Sequence, residues 1–199
     1  MRRSLIGYAA VLAVTGGVVM ASTAGAHTRA AKTTLRDASG HEIGVVKFVD
    51  GHGATEVRVQ IRRGSGVAAD AFHGFHIHAN TDGAGCVADP AQPSTTWFTT
   101  AGGHWKTGTQ THGQHVGDMP SVFVNANGGV ETRFTISRIP LGDLADKAVV
   151  LHAGVDNFGN VPIGEALDQY TANAPDATTK TQNTGNAGDR IACGVIAGR

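Results

Sequence analysis

Ten histidines stand in this chain of 199 residues, and the spacing of six of them invites a chemical reading. His76 and His78 close the strand-like run Phe72-His-Gly-Phe-His-Ile-His78. In an extended backbone residues i and i+2 share a face, so both imidazoles can point at one ion. Such a pair alone is weak evidence, because surface pairs of this kind are common. Further along come His104 and the segment His112-Gly-Gln-His-Val-Gly-Asp118. His112, His115 and Asp118 offer two imidazoles and a carboxylate at three-residue intervals, a donor set that suits zinc. His152 ends the apolar run Val149-Val-Leu-His152. Six histidines and one aspartate exceed a single tetrahedral site. Two metals sharing one ligand account for them.

The elements that must position these side chains are short. Ile43–Val49, Val57–Ile61, Val122–Asn125, Val130–Ile136 and Ala148–His152 are rich in β-branched residues, and Gly-containing turns at 50–53 and 125–129 separate several of them. Two long irregular stretches, 79–118 and 155–189, interrupt the pattern, and no segment shows a convincing helical period. The expected fold is all-β, a sandwich or barrel with two long loops, which in a compact domain are usually functional. One domain suffices for this length. With 16 basic and 16 acidic residues, overall charge gives no reason to expect nucleic acid or an anionic membrane as a partner.

Arg2 and Arg3 precede an uncharged apolar run over 5–21, and Ala24 and Ala26 fit the −3 and −1 positions of a cleavage site. Residues 1–26 are expected to be a signal peptide. A transmembrane anchor is the alternative, disfavoured by weak hydrophobicity and the Ala-Gly-Ala site. Cleavage removes two arginines and no acid, leaving the mature chain slightly acidic and without a membrane insertion. Residues 27–34 read as a flexible arm ahead of a domain over 35–199. In an exported chain the isolated cysteines, Cys86 and Cys193, read as one structural disulfide. Their alternative use in a metal site lacks a CxxC spacing.

Taken together, Gly74-Phe-His-Ile-His78, Ala101-Gly-Gly-His104, His115-Val-Gly-Asp118, Val150-Leu-His-Ala153 and Gly185-Asn-Ala-Gly-Asp-Arg-Ile-Ala-Cys-Gly-Val195 resemble, in order, the motifs of the copper–zinc superoxide dismutases, bacterial exported type. The resemblance implies an eight-stranded Greek-key β-sandwich or flattened barrel. It implies copper held by His76, His78, His104 and His152. It implies zinc held by His104, His112, His115 and Asp118, with His104 bridging the two metals and exchanging a proton. Asp156 would link a copper ligand to a zinc ligand, Cys86 and Cys193 would form the disulfide, and Arg190 would attract superoxide beside the copper. His73 would be structural.

Two departures stand out. Only two residues separate His112 from His115, a shorter zinc loop than many members have, and Trp105-Lys-Thr-Gly follows His104 where Phe-Asn-Pro is more usual. The activity implied is disproportionation of superoxide to dioxygen and hydrogen peroxide outside the cytoplasm, with a homodimer as a possible assembly. A copper-only dismutase and an exported copper-buffering module on the same fold are the competing readings.

Overall fold

The computed structural model describes residues 30–157 and 175–197. Their strands are β1 (Ala30–Asp37), β2 (Glu42–Asp50), β3 (Thr55–Ile61), β4 (Ala71–His73), β5 (Phe75–His78), β6 (Val122–Val124), β7 (Val130–Ile136), β8 (Ala148–His152) and β9 (Arg190–Val195). Seven form one curled antiparallel sheet in the order β5-β8-β9-β1-β2-β3-β7, and β4 pairs with β6 in a second, smaller sheet. The expected β architecture holds, with few helices beside it among the described residues. Gly74 alone divides β4 from β5, so one length of chain serves both sheets.

Alternation explains the packing. In β3, Thr55, Val57, Val59 and Ile61 are buried while Arg58 and Gln60 are exposed, the pattern of a sheet with one wet face. Its inward side chains join Leu35, Phe48, Phe75, Ile77 and Leu151 in one hydrophobic cluster. β5 and β8 are buried along their whole length. These are the two strands that carry His76, His78 and His152, so the candidate metal ligands rise directly out of the core.

The structure corrects two expectations. Residues 30–34, read as part of a flexible arm, belong to β1, where Ala30↔Val49 begins an antiparallel register with β2. The sequence Ala-Ala-Lys-Thr-Thr has little β signal of its own; the partner strand supplies the order. The second long stretch is not wholly irregular. A ten-residue helix, α1 (Pro175–Thr184), forms there. Its polar sequence has no apolar stripe to reveal it, although Pro175 suits a first helical position. Gly185, left-handed at φ 63°, terminates it as a C-terminal glycine does.

Candidate metal centre

Backbone pairing delivers the candidate ligands. His76 faces Val150 and His78 faces Ala148 across the β5–β8 ladder. On the other edge of β5, Ile77 N–H donates to Gly117 O at 2.8 Å, Ala79 N–H to Gly103 O at 2.9 Å, and Trp105 N–H to Ile77 O at 2.8 Å. The first long loop therefore runs beside β5 and sets His104 opposite His78 and Asp118 opposite His76. Close approach demands glycine here. A Cβ on Gly117 would collide with the Ile77 carbonyl, and one on Gly74 would lie 2.6 Å from Ala187 Cβ and 2.9 Å from Asp156 Oδ1. On β8 a register shift after Leu151 brings His152 opposite Arg190 of β9.

Two donor groups result, each with its ligand atoms within 4.8 Å of one another: His76, His78, His104 and His152; and His104, His112, His115 and Asp118. All seven residues are buried. His104 belongs to both groups and directs its two nitrogens differently. Nδ1 lies 2.9 Å from Asp118 Oδ1, while Nε2 is buried without a hydrogen-bond partner. His112 and His115, despite their short separation in sequence, both bring Nδ1 to 3.2 Å from the same Asp118 oxygen.

The remaining nitrogens fix the rings. His78 Nδ1–H donates to Gly102 O at 2.8 Å, and His152 Nδ1–H donates to Gly188 O at 3.1 Å. His76 Nε2–H is held by Asp156, 3.0 Å from Oδ2 and 2.9 Å from Oδ1. His115 Nε2–H donates to Gln110 O at 3.1 Å. A donated N–H leaves a lone pair on the other nitrogen, and for His76, His78 and His152 that nitrogen, Nδ1, Nε2 and Nε2 respectively, is buried with no hydrogen-bond partner. Four buried, unpartnered imidazole nitrogens aimed at one point, counting His104 Nε2, fit a cation that takes neutral imidazole. The carboxylate-bearing group fits zinc.

Electrostatics agree with this tautomer assignment. Burial, the neighbouring imidazoles and Arg190 push His78 well below its ordinary value. Burial is also the main cause lowering His152 to about 3 and His104 to about 4, against the opposing pull of Asp118. His112 goes the other way: burial would lower it, but hydrogen bonds to the Asp118 and Asp156 carboxylates, with their negative charge, outweigh that and raise it to about 9. Asp118 and Asp156 are held below the usual carboxylate range by their histidine partners, against the effect of burial.

Several contributors lie beyond the sequence reading. Ser121 Oγ–H donates to Asp156 Oδ2 at 2.9 Å. Gly185 leaves room for the His112 ring, where any Cβ would clash, and the His112 N–H donates to Gln182 O of α1 at 2.8 Å. Glycines in the C-terminal motif were the available signal; nothing in the sequence marks Ser121. Cys86 and Cys193 are bridged, 107 residues apart with Cα atoms 5.5 Å apart. Arg190 gives Nη1–H to Phe98 O at 2.6 Å and Nη2–H to Gly102 O at 2.7 Å. His73, as expected, serves structure: its nitrogens lie 2.7 Å from His152 O and 3.0 Å from Ala68 O.

Fold and site together define a β-sandwich protein that gathers two metal-binding groups around one shared imidazole. The copper/zinc superoxide dismutase (SODC) family model matches residues 42–196, and the chain belongs to that family. It is 33% identical over 167 residues to a superoxide dismutase [Cu-Zn] of Mycobacterium tuberculosis, covering 82% of this chain and 68% of the relative. To that of Mycolicibacterium paratuberculosis it is 32% identical over 183 residues, covering 90% and 79%. A double mutant of a SOD-like protein from Bacillus subtilis shares the fold, with a TM-score of 0.59 at 22% identity over 84% of this chain and 97% of that one.

Proposed function

We propose that the chain disproportionates superoxide, with His76, His78, His104 and His152 holding copper and His104, His112, His115 and Asp118 holding zinc. The observation that carries this is the convergence of both donor groups on His104. When bound, copper supplies one-electron redox chemistry through which two superoxide anions and two protons become one dioxygen and one hydrogen peroxide, and zinc supplies a fixed charge on the shared ring. His104 Nε2 is the atom that takes a proton and gives it up. Asp118 orients that ring through Nδ1, and Asp156 with Ser121 orients His76. Arg190, cross-strand neighbour of His152, attracts the small anion and presents its planar fork to it.

Convergence of all four zinc donors disfavours the copper-only reading, which predicts one metal per chain where ours predicts two. The buffering reading predicts metal without turnover. The deciding measurement is superoxide disproportionation by the metal-loaded protein, with metal content by elemental analysis, beside a His152→Ala variant. Two metals per chain, with activity that His152→Ala abolishes, are expected; a fully loaded protein without activity overturns the proposal.

We also place the enzyme outside the cytoplasm, with residues 1–26 as its signal peptide; these residues lie outside those described. The Cys86–Cys193 bridge supports that location. Assembly as a homodimer remains part of this reading, to be checked by light scattering.

A further inference from the structure

The chain's formal charge balances to zero, but the strand registers distribute it unevenly. Lys32 of β1 faces Lys47 of β2, Lys47 faces Arg58 of β3, and Arg58 faces Arg133 of β7. Four cations thus stand in one line across four strands, all of them exposed. Like charges directly opposite on a sheet are unfavourable, and this row contains three successive such pairs. Folding gains nothing from it. The anions nearest in register are few. Glu56 pairs with Arg58, and Glu131 lies two residues from Arg133 on β7. The row crosses a shallow depression of about 670 Å³ lined by Lys47, Arg58, Gln60, Glu131 and Arg133 among others.

We infer that this face binds a linear acidic polysaccharide laid across the strands. The spacing suits a polymer: cations about 4.8 Å apart over three steps span roughly 14 Å. The shape argues against a bilayer. Adjacent strands rotate by roughly 20–25°, so the four side chains follow a twist that a thin chain can track and a plane cannot. Chemistry argues against nucleic acid. The residues of the flanking rows on the same face are Ala30, Val49, Glu56 and Thr135 on one side, and Thr34, Val45, Gln60 and Glu131 on the other. None is aromatic, so these rows offer no platform for stacking bases, whereas Thr34, Gln60 and Thr135 suit sugar hydroxyls. The row lies on β1, β2, β3 and β7, whereas the metal-binding histidines lie on β5, β8 and the first long loop, so the two can work independently.

The test measures binding of the full metal-loaded protein to polygalacturonate by titration calorimetry over a range of salt concentrations. Dextran serves as the neutral control, and a single-stranded oligonucleotide and phosphatidylglycerol vesicles as rival anions. A Lys47→Gln/Arg58→Gln variant is compared with Lys106→Gln/Lys180→Gln, which removes equal charge elsewhere. Binding of polygalacturonate but not dextran is expected. The row variant should weaken it about tenfold and flatten its salt dependence by about 1.5 log units per log unit of salt. The control pair should change it less than about threefold, and circular dichroism and dismutase activity should be unchanged in the row variant. Failure of the wild type to bind at low salt overturns the inference. So does equal loss in the control pair, or tighter binding of vesicles or oligonucleotide through the same row.

Discussion

His78 and His152 each give one ring N–H to a main-chain carbonyl and keep the other nitrogen bare inside the protein. Arg190, beside them, gives two N–H groups to Phe98 and Gly102 carbonyls; these bonds fix where its charge stands, and in the proposed function that charge attracts the anion. Replacing it by Ile should lower the second-order rate about tenfold at low ionic strength with metal content unchanged, and the deficit should shrink as salt screens the wild-type advantage. Lys should restore part of the rate, since it returns the charge without the planar fork. Rate constants against ionic strength, with copper verified in each protein, check this; equal rates at low salt would remove Arg190 from the mechanism. The residue types here were readable because a two-residue alternation and a conspicuous motif expose them. Ser121, which completes the carboxylate that holds His76, was not, because one hydroxyl in a loop looks like any other.

Among elements, strands with their own β-branched signal were readable nearly to the residue: Val130–Ile136 and Ala148–His152 fall where expected. β1 and α1 were not, since neighbours create the one and no apolar stripe announces the other. The first long loop is the decisive element. It is pinned to β5 by main-chain bonds and to β9 by the disulfide, and Phe98 and Ala101 from it pack with Cys193, Val150 and Ala148. Closing a loop of this length stabilises by about 4–5 kcal/mol in the chain-entropy account. The Cys86→Ser/Cys193→Ser protein should therefore lose about 2–5 kcal/mol of stability. It should also lose activity beyond that, because the carbonyls that hold Arg190 and His78 come from the loop the bridge tethers. Thermal melting and metal retention under dialysis measure the two effects. Unchanged metal retention would show that the loop stands without its tether.

At the scale of the molecule, the buried imidazoles make the stability of metal-stripped protein depend on pH from both sides. His104 and His152 have folded values near 4 and 3, below the ordinary 6.5. Unfolding therefore takes up protons below that value, and stability falls as pH drops from about 6.5 toward 3. His112 is raised to about 9, so its contribution is complete below about 6.5 and is lost as pH climbs to 9. Melting temperature of chelator-treated protein should thus peak near pH 6.5, whereas monotonic behaviour across this range would contradict the charge assignment. Metal ions, which take the place of these protons, should flatten the profile.

The Gly102 oxygen accepts from both His78 and Arg190. Because this acceptor is main chain, no substitution at position 102 can delete it. Ligand and cation share a junction written in backbone shape, in the left-handed turn of Phe98 at φ 55° and of Gly102 at φ 74°. Inheritance of that junction passes through whatever preserves the turn, and a mutation that leaves every ligand in place can still sever it by straightening the chain.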